Sequence, residues 1–226
     1  MKLNKIITWL DRTLKVKEFD DVSNNGLQID RSKDDVKVVA FAVDASLRAV
    51  QAAAKVGAQL LVVHHGISWG GGIKRLTGGA SAVVRAAMEA DLALYACHLP
   101  LDAHPTLGNN AQLAKFLRLK NTRPAFNYHG NVIGLVGERG KVRIGVCSGG
   151  AGEFAADAKE LGCHLFITGE ANWGEKIAAE NCGMKMLCAG HYETEVFGVR
   201  AVSRALKRAL KLRVVDLTDE LKPTQQ

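Results

Sequence analysis

The chain has 226 residues, 47% of them apolar, so it can bury one large core or two smaller ones. Its 30 Lys and Arg residues against 23 Asp and Glu residues give a formal charge of +7, which favours anionic partners. The longest apolar stretches, 60–63 and 92–97, are strand-sized, which excludes a membrane span of roughly 18 to 20 residues. The five cysteines show no C-x-x-C spacing, so we expect reduced thiols in a cytoplasmic protein without a membrane partner.

The first half of the chain alternates predicted helices and strands. The pattern of residues 1–10 predicts an amphipathic first helix. Strands are predicted over 36–43 and 59–63 with a helix over 46–56 between them, and a further strand is predicted over 92–97. Because helical crossovers join parallel strands, this half predicts an α/β domain with a mostly parallel sheet.

The second half repeats that order, with a strand over 142–147, a helix over 153–161 and strands over 164–167 and 185–189. Residues 54–62 align with residues 159–167, and a glycine closes the helix in each segment. We interpret the repeat as an internal duplication that gives two similar α/β domains, 1–125 and 126–226. The final helix can still pack on the first domain.

The excess of positive charge concentrates near the C-terminus, in residues 204–213. Val202, Leu206 and Leu210 recur at helical spacing, so the basic residues between them form the solvated face of a helix. No aromatic residue interleaves with these charges to stack on bases. We therefore expect a solvated helix face, with nucleic acid as the alternative partner.

Histidines follow three of the predicted strands, and an acid comes four residues after two of them. In parallel sheets, functional groups gather at the carboxyl ends of the strands. Imidazole and carboxylate groups together bind Zn, Mn, Fe, Ni or Co. The three motifs are His64-His65, His98-Leu-Pro-Leu-Asp102 and His191-Tyr-Glu-Thr-Glu195.

The doublet His64-His65 raises a geometric question, because neighbouring side chains on a regular strand point to opposite faces. Both imidazoles could serve one centre only if the strand breaks there, and Gly66 allows such a break. The alternative is one packed histidine and one exposed histidine. The companion motifs favour the metal interpretation.

The roles of Asp102 and Glu195 depend on the local structure around each of them. Pro100 disfavours a regular helix, so we expect His98 and Asp102 on a loop, where Asp102 could bridge two cations. His191 and Glu195 would share a face if the segment after Gly190 is helical, since positions i and i+4 are neighbours. Glu195 could instead be an acid that only favours a helix N-terminus.

Three further patterns are weaker. The loop 69–75, Trp-Gly-Gly-Gly-Ile-Lys-Arg, could fold over an anionic substrate, or it could simply be mobile, and it matches no P-loop spacing. Cys97 and Cys188 lie in apolar strands, which indicates core packing rather than a nucleophile. Gly108-Asn-Asn110 is typical of the start of a helix over 111–117, with an asparagine cap.

Taken together, the motifs resemble the NIF-three-like dinuclear-metal-centre family, whose members are often labelled GTP cyclohydrolase type 2 homologues. The resemblance runs in order along nearly the whole chain. It is carried by the following segments: Ser23-Asn-Asn-Gly-Leu-Gln28, His64-His65-Gly66 with Trp69-Gly70, His98-Leu-Pro-Leu-Asp102 with Gly108-Asn109-Asn110, Ile167-Thr-Gly169 and Gly190-His191-x-x-x-Glu195.

The resemblance implies two interlinked α/β domains, a toroidal homohexamer and a pair of divalent metals near the mouth of a cleft. It implies that His98 is an extra ligand or a group that orients a bound water. The sequence departs from the family pattern after Gly169: family members often have an aspartate there and a histidine a few residues on, whereas this chain has Glu170-Ala-Asn-Trp173-Gly and no histidine. The implied metal ligands are His64, His65, Asp102, His191 and Glu195.

The hypothesis from the sequence is therefore a dinuclear metal-dependent hydrolase that acts on a nucleotide-like or phosphorylated small molecule. Two metals would acidify a water and polarise the oxygen under attack, and Lys74 and Arg75 could hold a phosphate. GTP cyclohydrolase-like chemistry is one version of this hypothesis. The alternative is a non-catalytic, ring-forming protein that uses metal for structure, metal handling or regulation and binds partners or nucleic acid.

Overall fold

A computed structural model describes residues 1–223, which form two compact units. Of the described residues, the first unit comprises 1–101 and 199–223, and the second comprises 102–198. The domain boundaries expected from the sequence, 1–125 and 126–226, stay a prediction, because compactness alone does not show which segments fold independently.

The first hundred residues form four helices and four strands, with a short 3₁₀ helix at Val16–Glu18. The predicted first helix is confirmed. In chain order the elements are α1 (Leu3–Leu14), β1 (Gly26–Ile29), β2 (Val38–Asp44), α2 (Leu47–Lys55), β3 (Leu60–His65), α3 (Gly78–Glu89), β4 (Ala93–Ala96) and α4 (Leu99–Ala103).

The rest of the described chain, up to residue 223, adds four helices and six strands, with a second 3₁₀ helix at Gly152–Phe154. The segment after Gly190 is a 20-residue helix, so the condition under which His191 and Glu195 share a face is met. In chain order the elements are α5 (Asn109–Phe116), β5 (Lys120–Tyr128), β6 (Asn131–Arg139), β7 (Val142–Gly150), α6 (Ala155–Glu160), β8 (Leu165–Glu170), α7 (Trp173–Asn181), β9 (Met186–Cys188), α8 (His191–Leu210) and β10 (Arg213–Asp216).

The first unit contains a five-stranded sheet in the order β1-β4-β3-β2-β10. Strands β4, β3, β2 and β10 are parallel, as the crossover helices predict, and β1 adds antiparallel to β4 at the edge. Nearly every residue of β2, β3 and β4 is buried, which explains their continuous apolar sequences. The parallel arrangement brings the carboxyl ends of β3 and β4 side by side.

The second unit contains a five-stranded sheet in the order β5-β6-β7-β8-β9. Strands β7, β8 and β9 are parallel, whereas β5 and β6 form antiparallel pairings. The strand-helix-strand segment β7-α6-β8 therefore has the parallel arrangement of β2-α2-β3, as the alignment of the two halves predicts. Both units are α/β, and they differ in how their sheets are extended beyond the shared parallel strands.

Local sequence explains where the helices lie. In α1, Leu3, Ile6, Leu10 and Leu14 are buried at helical spacing, and the helix ends where Lys15 adopts a left-handed conformation. Helix α2 begins after Ser46, whose side chain accepts a hydrogen bond from the backbone N–H of Ala49 at 3.1 Å.

Two local predictions were wrong. Pro100 does not leave a loop, because Leu99–Ala103 is a short helix and proline is tolerated in the first turn, where its missing N–H has no helical partner. Helix α5 begins at Asn109 after Gly108, and no side chain caps it. The side chain of Asn109 instead donates a hydrogen bond to the carboxylate of Asp102.

Among the described residues, no helix is long and apolar enough to cross a membrane. None of the five cysteines, all of which lie in the described part of the chain, forms a disulfide. Cys97 is buried, as predicted, but Cys188 is exposed. The prediction for Cys188 was wrong because β9 is the last strand at the edge of its sheet, where the neighbouring Leu187 is also half exposed.

Candidate metal centre

The histidine doublet occupies the last two positions of β3. The strand continues through His65, which pairs with Asp44 on β2, so the expected break falls after the doublet rather than within it. The two imidazole rings nevertheless lie 4.5 Å apart between centroids. Only a glycine fits at position 66, because a Cβ there would lie 2.2 Å from Gln28 Oε1 and 2.6 Å from Ala96 Cβ.

His98 comes two residues after β4 and lies close to His64 and His65, because β4 is parallel to β3 and is its neighbour in the sheet. Its ring centroid lies 5.2 Å from that of His64 and 5.7 Å from that of His65. One ring nitrogen from each of these three residues lies within 4.8 Å of the other two. We call His64, His65 and His98 the imidazole cluster.

Each ring of the imidazole cluster uses its Nδ1 atom to contact an oxygen acceptor of the same unit. Because a carbonyl or carboxylate oxygen only accepts, each Nδ1 carries the proton and each Nε2 keeps its lone pair in the neutral ring. This is the arrangement in which metal-binding histidines are usually held. The acceptors are the Cys97 carbonyl for His64 at 2.9 Å, Asp44 Oδ1 for His65 at 2.8 Å and Asp21 Oδ1 for His98 at 2.9 Å.

Two histidines outside the cluster have the opposite arrangement. His104 Nδ1 accepts hydrogen bonds from the backbone N–H groups of Thr106 and Leu107, at 3.2 and 3.0 Å. His164 Nδ1 accepts from the backbone N–H of Arg143 at 3.1 Å. In both rings the proton of the neutral form is therefore on Nε2. The tautomer thus separates the clustered histidines from these two.

The carboxylate of Asp21 is enclosed, with only 1% of its side chain exposed. Burial works to raise its pKa, but the hydrogen bond and charge of His98, with further hydrogen bonds from Asn25 and Ser23, outweigh that effect and lower the pKa. Asp21 was not predicted from the sequence, because it lies 77 positions from His98 and just before the Ser23–Gln28 motif.

Asp102 lies in α4 and is buried in the second unit. Its Oδ1 accepts hydrogen bonds from Asn109 Nδ2 at 2.8 Å and from Ser148 Oγ at 2.9 Å. Asn109 Oδ1 in turn accepts from the backbone N–H of Gly198 on α8, at 2.7 Å. Asn109 therefore links the carboxylate of Asp102 to the helix that carries His191 and Glu195.

His191 and Glu195 lie one turn apart on α8 and face each other, as their spacing predicts. His191 Nε2 is 3.0 Å from Glu195 Oε1, and His191 Nδ1 is 3.0 Å from Glu170 Oε1. The hydrogen bond to Glu195, helped by the charges of Glu195 and Glu170, raises the pKa of His191 to about 9, although partial burial works against it. Glu170 thus contacts His191, whereas Trp173 is 77% exposed at the start of α7.

Gly149 provides room for the pair on α8. A Cβ at Gly149 would lie 2.5 Å from Glu195 Oε1 and 3.5 Å from His191 Nε2, and its φ of +69° disfavours any other residue. The backbone N–H of Gly149 donates to Thr194 Oγ1 at 3.0 Å. The close approach of β7 to the first turn of α8 therefore depends on a glycine.

Asp102, His191 and Glu195 form the carboxylate cluster of the second unit. Glu195 is 3% exposed, and one of its oxygens lies within 4.8 Å of an oxygen of Asp102. The structure thus brings together the sequence-predicted donors as two sets, one in each unit, and it places His98 beside His64 and His65. Imidazole nitrogens and carboxylate oxygens fit a divalent transition metal, so the donor chemistry matches the predicted cofactor.

The glycine-rich loop begins beside the imidazole cluster. Trp69 Nε1 donates to the carbonyl of Gly66 at 2.9 Å, and the indole packs edge-on against His98 with 5.1 Å between centroids. Trp69 remains 37% exposed, and Lys74 and Arg75 are exposed. The loop therefore offers an aromatic surface close to the imidazoles and two cations farther along.

These features define a two-unit α/β protein with imidazole and carboxylate groups that could hold metal. The model of the Duf34/NIF3 (NGG1p interacting factor 3) family matches residues 1–142 and 132–222, so the chain belongs to this family. Proteins named "GTP cyclohydrolase 1 type 2 homolog" from Pyrococcus horikoshii and Deinococcus radiodurans are each 37% identical to it. The first alignment covers 95% of this chain and 97% of the relative, and the second covers 90% and 88%.

Solved structures have the same fold. A structure described as "protein ybgI, unknown function" has a TM-score of 0.90 at 28% identity, with both chains fully covered. TTHA1606 from Thermus thermophilus has a TM-score of 0.82 at 29% identity, again with full coverage. Reduced HcgD from Methanocaldococcus jannaschii has a TM-score of 0.83 at 26% identity and covers 96% of this chain and 98% of its own. The predicted family and fold are confirmed.

Proposed function

We propose that this chain is a dinuclear metal-dependent hydrolase of nucleotide-like or phosphorylated small molecules. The observation that carries the proposal is the imidazole cluster, in which three Nδ1 atoms face oxygen acceptors and three ring nitrogens lie within 4.8 Å of one another. Histidines that serve only packing have no reason to share one tautomer and one location. The names of the relatives support a hydrolase with GTP cyclohydrolase-like chemistry as one version.

The proposed ligands for two divalent ions are His64, His65, Asp102, His191 and Glu195, as the family resemblance assigns them. Bound divalent metals would supply Lewis-acid chemistry, acidifying water and polarising a carbonyl or phosphoryl oxygen. The chain's own contribution is to fix the donors. Asn109 and Ser148 orient Asp102, and Glu170 orients His191.

The surroundings of the imidazole cluster favour a planar, anionic substrate. The exposed indole of Trp69 beside His98 offers a stacking surface for a heteroaromatic ring. Lys74 and Arg75, on the same glycine-rich loop, could pair with a phosphate, and Arg suits this task because its guanidinium can bond two oxygens at once. Together these groups match a nucleotide better than an uncharged metabolite.

The test is a hydrolysis screen with nucleotides and phosphoesters, using protein loaded with Zn, Mn, Fe, Ni or Co. Asp102→Ala is the site variant, and His164→Ala is the matched control, because His164 has the opposite tautomer and lies outside both clusters. Turnover that is lost in Asp102→Ala and kept in His164→Ala supports the proposal. Metal binding without turnover on any substrate contradicts the hydrolase and favours a regulatory or metal-handling protein.

The proposal includes a cytoplasmic, toroidal homohexamer, which the family resemblance implies. Light scattering coupled to size-exclusion chromatography measures the mass of the assembly. Six chains per particle support this part of the proposal, and a stable monomer or dimer contradicts it without affecting the metal site. Added duplex DNA serves as the probe for nucleic acid, and binding that weakens steeply with salt would favour the alternative partner.

A further inference from the structure

We propose that Asp21 is a positioning residue that holds His98 as a third nitrogen donor of the imidazole cluster. Asp21 fixes the ring orientation and keeps the proton on Nδ1, so that the lone pair of Nε2 is available to a metal. This inference rests on the proposed metal function, and it concerns a residue that would never touch the metal itself.

The contacts of Asp21 are those of a rigid acceptor. Its Oδ1 accepts from His98 Nδ1 at 2.9 Å and from the backbone N–H of Ser23 at 3.0 Å. Its Oδ2 accepts from the backbone N–H of Leu99 and from Asn25 Nδ2, both at 2.9 Å. Four donors surround a carboxylate that is 1% exposed, so neither oxygen can rotate away from the imidazole.

Asn25 completes the support of His98. Its Oδ1 accepts from the backbone N–H of His98 at 2.8 Å, while its Nδ2 donates to Asp21. His98 is thus held through both its backbone and its ring by one short segment, 21–25. Such support would be excessive for a surface histidine, and it matches the way in which outer carboxylates orient metal-binding imidazoles.

Asp44 provides an internal comparison. It contacts His65 Nδ1 at 2.8 Å, but half of its side chain is exposed. Water can reach His65 Nδ1 and accept the hydrogen bond that Asp44 accepts, whereas water cannot readily replace the enclosed carboxylate of Asp21 beside His98 Nδ1. The same isosteric substitution at the two aspartates therefore has unequal consequences, which makes Asp44→Asn the matched control for Asp21→Asn.

Replacement of Asp21 by Asn keeps the shape and puts one amide NH₂ among four donors. On the Oδ2 side, the NH₂ would face the Leu99 N–H and Asn25 Nδ2, and Asn25 could turn its oxygen only by releasing the His98 N–H. On the Oδ1 side, the NH₂ would face the Ser23 N–H and His98 Nδ1, and of these two groups only His98 can change role, by accepting at Nδ1. The proton then moves to Nε2, and the lone pair that a metal needs is lost.

The experiment records ¹⁵N–¹H spectra of the histidine rings in metal-free protein at about pH 8, where an ordinary imidazole is neutral. Wild type is expected to show Nδ1–H at His98, and Asp21→Asn to show Nε2–H. His104 and His164 are expected to show Nε2–H in every variant and so calibrate the spectra. Nε2–H at His98 in wild type overturns the proposal by itself, even if Asp21→Asn fails to fold.

The second readout is the affinity for Zn or Mn, measured by calorimetry. Asp21→Asn is expected to weaken binding by roughly 10- to 100-fold, and Asp44→Asn by less. Equal affinity in wild type and Asp21→Asn overturns the proposal. Failure of wild type to bind any metal defeats the proposed function instead, and the tautomer of His98 then still decides whether Asp21 positions the ring.

Discussion

The two units present donor sets of opposite character. The first unit offers three imidazoles whose Nδ1 protons point at acceptors, so the neutral rings carry their lone pairs on Nε2. The second unit offers two buried carboxylates and one imidazole, and the protonated ring of His191 balances the charge of Glu195. Tautomers therefore prepare the donors of the first unit, whereas the ion pair between protonated His191 and Glu195 holds those donors of the second unit in place.

The largest expected effect comes from removing a donor of the first set. His64 is fully buried at the end of β3, and His64→Ala removes one of the three nitrogens of the imidazole cluster. We predict that metal affinity falls by more than about 100-fold, since the loss of an outer partner alone costs up to that amount. Calorimetry with His164→Ala as the control measures it, and unchanged affinity in His64→Ala would remove the first unit from the metal site.

In the second unit, Gly149→Ala tests whether the packing of α8 depends on the absence of a side chain. The added Cβ would push Glu195 away from His191, and it also introduces strain at positive φ. Gly140→Ala is the control, because Gly140 has a φ of +62° but open space around its Cβ position. We predict that Gly149→Ala lowers the free energy of unfolding by about 2 kcal/mol more than Gly140→Ala does, as measured by urea denaturation. Equal decreases in the free energy of unfolding for the two variants would mean that Glu195 can move away from the added Cβ without destabilising the fold.

The proton in the second unit can be observed directly. In metal-free protein, an NMR titration of His191 should give a pKa of about 9, and Glu195→Gln should lower that pKa by more than Glu170→Gln, because the hydrogen bond to Glu195 is the main cause of the shift. Since the folded-state pKa lies above the ordinary value of 6.5, the ion pair stabilises the metal-free fold fully below pH 6.5. That contribution disappears as the pH rises through about 9. A titration midpoint near 6.5 in wild type would contradict the account of the second donor set.

The smallest change in stability is expected at Trp173, and a comparison with Trp69 tests which of the two exposed tryptophans contacts the ligand. Trp173 is 77% exposed at the start of α7, and we predict that Trp173→Ala changes the free energy of unfolding by no more than about 0.5 kcal/mol and leaves metal affinity unchanged. Trp69 packs against His98, so Trp69→Ala should weaken binding of a nucleotide probe to the metal-loaded protein. If Trp173→Ala weakened nucleotide binding as much as Trp69→Ala, the aromatic surface would have been assigned to the wrong unit.

The parts of this picture that follow from local periodicity could be predicted from the sequence. The sequence shows the histidines that end predicted strands, and it shows the spacing of four residues between His191 and Glu195. The family motifs run in order around these residues. The prediction for Pro100 was wrong because the effect of a proline depends on whether it falls in the first turn of a helix or inside one. The extra antiparallel strands β5 and β6 leave no comparable signal in the alignment of the two halves.

The groups that prepare the donors were not predictable, because they come from distant positions. Asp44 faces His65 through the register of β2 and β3, which the sequence does not specify in advance. Asp21 reaches His98 across 77 positions, through a segment without regular structure of its own. Tautomers follow from these contacts, so the difference between the cluster histidines and His104 or His164 also needed the fold.

The metal content per chain decides whether the two donor sets hold a dinuclear centre, and elemental mass spectrometry measures it on protein purified without a nickel column or chelator. We predict about two divalent ions per chain in wild type, with loss of metal in Asp102→Ala and retention in His164→Ala. Wild-type protein that takes up no metal, even after incubation with Zn, Mn or Fe, would contradict it.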